Sequence, residues 1–338
     1  MVVDRAGPSA SRSRLAAARA ASRATIALPA SWPVALAGFL ARGGIVLFAL
    51  PVLVLPTPTG LATLFGPTVV SVALNGPDPA LVGLAAAGLA LATLAVILGT
   101  AVGAMSDAAV IAAVAGTLDP TATRSSDDAG TIARIAAVRL VALVPVVLAI
   151  AWAGPRLVTA TYDELVLPSD VAIPLVLRVA GTAAGTLAVA GLTWLVCEAI
   201  AGVAARAVVL RGDGVGRALA GGLAFLIRHP ADSLGALLGG LAVLLVVLVP
   251  SLALVTLTWS AARDALAPGG EPLLAIILGM ALATIWLTAL ALTAIGATWR
   301  SAIWTAVVLR GDRHPVGDMA WPAADRSATD AASSTLAG

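Results

Sequence analysis

Side chains able to do chemistry are few in this 338-residue sequence, and most lie at the ends of apolar stretches. The two histidines each sit in an Arg-His-Pro triplet, Arg228-His229-Pro230 and Arg313-His314-Pro315, with Asp213, Asp232, Asp312 and Asp318 nearby. Imidazole and carboxylate together could ligate a divalent metal, but these spacings match no zinc motif, and no metal is expected. The single cysteine, Cys197, excludes an internal disulfide and any cysteine cluster within one chain. No His-Glu-x-x-His, no phosphate-cradling glycine loop and no nucleophile elbow occurs. The chain is expected to be non-catalytic and to carry no cofactor.

Three charged residues border the apolar runs. Arg178 is expected to reach outward to Asp163, Glu164 or Asp170, and Glu198 to pair with Arg139. No ionisable side chain falls at mid-membrane depth. Such groups are costly there and mark ion or proton pathways, so a proton-coupled transporter, a pump and a voltage sensor are disfavoured.

A repeated heptapeptide is the clearest organising signal. Ala207-Val-Val-Leu-Arg-Gly-Asp213 returns unchanged as Ala306-Val-Val-Leu-Arg-Gly-Asp312. Arginine in a last turn suits the negative end of the helix dipole, and glycine can adopt the left-handed conformation that stops a helix. Both copies therefore predict helix ends, at Gly212 and Gly311. They would present Arg211, Asp213, Arg310 and Asp312 as a candidate surface for docking a partner.

The elements that position these residues follow from composition. Hydrophobic residues make up 60% of the chain and charged ones 11%, far from the balance of a soluble domain. Apolar regions at about 34–55, 79–105, 135–154, 179–200, 233–258 and 273–299 are each near the 20 or so residues that cross a bilayer. The first and third cross only if Arg42 and Arg139 snorkel to the interface. The expected fold is an all-α, polytopic transmembrane bundle of about six spanning helices with short amphipathic interfacial helices. Gly-x-x-x-Gly pairs at Gly99/Gly103, Gly181/Gly185 and Gly235/Gly239 are candidate helix-packing positions, since small residues let membrane helices approach closely.

Topology follows from arginine, the only residue supplying the chain's Lys+Arg total of 20. With both termini inside, Arg156, Arg178 and Arg263 alone fall outside, leaving 17 of the 20 on the cytoplasmic side. The expected location is the cell membrane, with the lipid bilayer as partner, a membrane or cytoplasmic protein as a further one, and no nucleic acid. Residues 1–30 predict a disordered Arg/Ala-rich cytoplasmic arm, 31–315 the six-helix domain, and 316–338 a disordered cytoplasmic tail. Within the domain, amphipathic lead-ins ending at Arg42, Arg139 and Arg228 divide the chain into repeat-like units of about 31–120, 127–213 and 215–315.

This layout, with Leu226-Ile-Arg-His-Pro230 and Val-Val-Leu-Arg-Gly-Asp as its most specific pieces, resembles a loose group of bacterial six-helix membrane proteins. The group includes the membrane domain attached to some glycerophosphodiester phosphodiesterases. The resemblance implies a six-helix membrane fold over about 30–315. It implies no hydrolase activity, because no hydrolase domain accompanies these helices. A scaffold or accessory role beside a membrane partner is the expected function. The alternative is a carrier or permease-like component for an uncharged or lipid-like substrate.

Overall fold

The structure, a computed structural model, describes residues 8–53, 67, 71, 74–76, 78–121, 128–170, 172–267 and 271–313. Among the described residues the chain is helical and forms no strand. Helix α1 spans Pro8–Ala27 and α2 Ser31–Phe39, and a π-helical turn over Leu40–Gly44 leads into the short α3, Ile45–Ala49. Helix α4 covers Pro79–Leu118, α5 Ala129–Val166, α6 Leu175–Thr182 and α7 Ala184–Arg211. Then come α8, Val215–Arg228, α9, Pro230–Ala265, and α10, Pro272–Arg313. With α2 and α3 taken together, six segments are long and apolar enough to cross a membrane. The chain is an all-α, multi-pass helical bundle, the form in which a backbone can satisfy its own hydrogen bonds in lipid.

Helix starts are set locally. Asp78 accepts from the Ala80 amide ahead of Pro79, and Asp128 accepts from the Gly130 amide, each supplying an orphan first-turn donor with an acceptor. Lengths, by contrast, exceed what the bilayer needs. Helices α4, α9 and α10 run 40, 36 and 42 residues, about 54–63 Å at 1.5 Å per residue. Most of the close packing lies in the excess, at one end; a smaller cluster of Phe48, Leu244, Leu248 and Ala289 packs within the spans. In α4 the buried residues run from Gly103 to Ala115, in α7 residues 201–210 are buried without a break, and in α10 residues 302–306 are buried. Every residue from 79 to 98 is exposed. The division has a physical cause. Water drives apolar surfaces together where the helices leave the membrane, whereas lipid tails solvate leucine and valine as well as a neighbouring helix does.

Four expectations need correction. The amino-terminal arm is not disordered over its described part: α1 is helical, buries Ala17, Ala21 and Ala24, and receives a hydrogen bond at Ser22 Oγ from Trp299 Nε1 of α10 at 3.1 Å. The region at 179–200 is broken at Ala183, which separates α6 from α7. The two copies of the heptapeptide end differently. Gly212 stops α7 in the left-handed conformation (φ 72°), with the Asp213 amide reaching back to Ala207 O at 3.4 Å. Gly311 stays helical and α10 continues to Arg313, because Gly311 packs beneath the Phe225 ring of α8, where a Cβ would meet Cε2 at 2.6 Å. The fourth concerns the paired glycines. Gly99 lies against the carbonyl of Ala41 and Gly103 against the Arg42 side chain, while Gly181 and Gly185 face open space. Gly239 makes ordinary contact with Trp299 at 3.6 Å, and Gly235 lines a groove on the surface of α9. The tail at 316–338 lies outside the described residues.

A methyl group at Gly99 must therefore displace backbone, whereas one at Gly185 displaces nothing. Gly99→Ala is expected to lower the melting temperature in detergent by several degrees, in line with overpacking costs of about 1–3 kcal/mol. Gly185→Ala should melt with the parent protein, and equal behaviour of the two variants would contradict this packing.

Candidate functional site

Charged residues from five elements meet at the packed end. Asp107 stands 28 positions after Pro79 in α4, Arg300 stands 28 after Pro272 in α10, and Arg139 stands 27 before Val166 in the oppositely running α5. At 1.5 Å per residue, each is about 40 Å from the far end of its helix. A hydrocarbon core is about 30 Å thick, so the charges sit at headgroup depth, where ionisation is tolerated.

Arg139 is the hub. Its Nη2 donates to Asp107 Oδ2 at 2.8 Å, with Nε at 3.2 Å, and its Nη1 donates to Glu198 Oε2 at 3.0 Å. Arg42 Nη1 meets the same Asp107 Oδ2 at 2.8 Å, and Arg300 Nη2 meets Glu198 Oε1 at 2.8 Å. The result is a chain, Arg42–Asp107–Arg139–Glu198–Arg300, that joins the π-turn, α4, α5, α7 and α10. Glycines make room for its ends. Gly43, at φ 101°, turns the chain beside Arg42, and a Cβ at Gly103 would lie 3.1 Å from Arg42 Cγ. A Cβ at Gly240 would lie 2.9 Å from Arg300 Cγ.

Arg206, a little over two turns beyond Glu198 on α7, is buried beside this chain and hydrogen-bonds only neutral partners. Nε donates to Thr305 Oγ1 at 3.1 Å, Nη1 to Gly202 O at 2.6 Å, and Nη2 to Ser301 O at 2.8 Å and Ser301 Oγ at 3.2 Å. Arg42, Asp107, Arg139, Glu198, Arg206 and Arg300 all line one cavity of about 50 Å³.

A smaller polar knot closes the opposite end. Glu164 accepts from the Ser169 amide and hydroxyl and from Thr182 Oγ1, and Arg178 Nη1 stands 3.6 Å away. Arg178 therefore turns to Glu164 among its three expected acceptors, and Glu198 pairs with Arg139 as the spacing implied. The four expected docking residues are not equivalent. Arg211 Nε pairs with the buried Asp213 at 3.1 Å, whereas Arg310 lines a groove of about 810 Å³ along α1, α8, α9 and α10. The side chain of Asp312 lies outside the described residues, as do His314 and Asp318. His229 packs on Phe225, ring centroids 4.9 Å apart. Among the described residues no three His, Cys, Asp or Glu side chains come together in a way that could hold a metal.

Asp107 escapes a reading of the sequence that ends its span at residue 105, and Arg206 and Arg300, though on the helices that the heptapeptides close, carry no sequence signal that they meet it. The available signal is residues 108–115, as apolar as the span before them. That run calls for burial and so continues the helix past Asp107. Fold and charge placement together define a multi-pass integral membrane protein with an ion-paired, packed platform at one face. Compared with protein-family models, with curated proteins and with solved structures, the chain finds no match.

Removing one partner of a buried pair leaves the other charge uncompensated, at a cost on the order of 3–5 kcal/mol. Asp107→Asn, which leaves both Arg42 and Arg139 facing a neutral amide, is expected to lower the melting temperature strongly. Combined with Arg42→Met it should cost less than the two single losses added together. Strict additivity in thermal unfolding would show that the chain is not a coupled unit.

Proposed function

We propose that the protein is a non-catalytic membrane scaffold or accessory subunit in the cell membrane, with both termini cytoplasmic and its arginine-rich face presented to a partner. The observation that carries this reading is the position of the packed core. Helices α4, α7 and α10 extend past the membrane, bury alanine and valine against one another, and are pinned together by the ion-pair chain. A stiff platform of this kind suits docking better than it suits the rearrangements of a carrier. Within the spans, threonines 93, 193, 284 and 288 donate to carbonyls of their own helices and so outline no polar path. Helix α8 supplies the platform's solvent-facing charge: Arg217 and Arg228 are exposed, while Ala218, Gly221 and Gly222 are buried.

The alternative, a carrier or permease-like component for an uncharged or lipid-like substrate, is favoured by one feature. The groove along α1, α8, α9 and α10 has the volume of a small-molecule site.

Topology and docking are separately testable. On a Cys197→Ser background, cysteines at Thr159 and Ala267 should react with an impermeant thiol reagent on intact cells, and a cysteine at Gly214 should not; the opposite pattern would refute the orientation. Reversing the exposed charges with Arg217→Glu and Arg228→Glu should leave the melting temperature within a degree or two and release a partner that otherwise copurifies. Unchanged partner recovery, together with lipid or solute movement in reconstituted vesicles, would favour the carrier instead.

A further inference from the structure

The two carboxylates of the charged chain are already engaged by three guanidinium groups. Asp107 Oδ2 accepts from Arg42 and Arg139, and the two oxygens of Glu198 accept from Arg139 and Arg300. Arg206 adds a fourth cation to the same cavity, so four arginines face two carboxylates, a formal net charge of +2. Its side chain is 4% exposed, and among the described residues no carboxylate pairs with it. Burial of a cation is costly unless an opposite charge is close, so the cavity as built favours an anion.

Donors remain to receive one. A guanidinium presents five N–H groups. Arg300 directs only Nη2 to Glu198, and Arg42 directs only Nη1 to Asp107 and to Gly103 O. Their remaining N–H groups belong to side chains 27% and 33% exposed, at the open rim, while Arg139 and Arg206 form the closed side. Paired N–H donors of this kind match the oxygens of a tetrahedral oxyanion. Size and depth agree. The cavity, about 50 Å³, exceeds the roughly 10–15 Å³ that a single water needs and is far below the size of an organic substrate site. It lies about 40 Å along α4 and α10 from their far ends, which is the level of the phosphate layer of the adjoining leaflet.

We propose that this cavity binds an anionic phosphate group, brought either by the headgroup of an acidic phospholipid or by the free ion, with Arg206 and Arg139 at its base and Arg42 and Arg300 at its rim. The site is independent of any docked partner. Its failure would leave the scaffold reading intact, and loss of the scaffold reading would leave the site.

The test uses the full chain purified in dodecyl maltoside, with thermal unfolding followed during titration. The probes are phosphatidylglycerol, phosphatidylcholine as the zwitterionic control, inorganic phosphate, and sodium chloride at matched ionic strength. Stabilisation by phosphatidylglycerol beyond phosphatidylcholine identifies the lipid source, and stabilisation by inorganic phosphate beyond chloride identifies the free ion; either supports the site. Arg206→Gln and Arg42→Gln should each raise the half-saturating concentration about tenfold or more, the scale of one charge-assisted hydrogen bond. Arg217→Gln, on the exposed face of α8, should not. If Arg206→Gln fails to fold, Arg42→Gln at the rim and the titrations of the parent protein decide the matter. No selective response to either phosphate source would overturn the proposal, and so would a response undiminished in Arg42→Gln.

Discussion

The guanidinium of Arg139 holds two carboxylates from two helices, and the arrangement of the bundle depends on that shared contact. Asp107 belongs to α4 and Glu198 to α7, so a single side chain of α5 fixes three helices at one level. Arg42 and Arg300 extend the bond outward to the π-turn and to α10. Charges buried this far require partners at hydrogen-bonding distance, because their hydration has been removed. The requirement fixes register: sliding α4 by one turn would move Asp107 by about 5.4 Å and part it from both arginines.

Depth decides why the charges are here and not elsewhere. In the hydrocarbon, helices gain little from burying leucine or valine against one another, and polar groups are costly. Beyond it, water restores the hydrophobic driving force and tolerates charge at the edge. The chain obeys both limits. Its exposed apolar residues crowd the spans, its ion pairs lie at the boundary, and its alanine- and valine-rich core lies past the boundary. A membrane protein built this way has its stiffest part on the face that soluble partners and lipid headgroups can reach, which joins the scaffold reading to the phosphate site.

Glycine serves this arrangement in specific places. Gly103 and Gly240 leave space for the stems of Arg42 and Arg300, and Gly99 lets α4 approach the carbonyl of Ala41. Spacing alone does not identify such positions. Gly181 and Gly185 have the same four-residue interval and face open space within this chain. What separates them is whether another element passes close by, a property of the tertiary arrangement and not of the interval.

By itself the sequence determined the class of the fold: so many apolar residues in runs of bilayer length, with so few charges, leave helices as the way to satisfy the backbone in lipid. It also determined the pairing of Glu198 with Arg139 and of Arg178 with an acid near its own end, since each charge sat at the edge of an apolar run with few partners in reach. Tertiary structure decided the rest. Composition marks where a helix must lie in lipid but not what it meets beyond, so Asp107 became helical, and Asp107 and Arg206 central, only once α4, α7 and α10 were packed together. The heptapeptide shows the same limit. Identical residues stop α7 at Gly212, where Arg134 Nη1 donates to the Gly212 carbonyl at 2.7 Å and α8 turns back at once. They let α10 run on through Gly311, where the ring of Phe225 packs against the helix. A local sequence offers both conformations, and the neighbour that arrives from elsewhere in the chain selects between them.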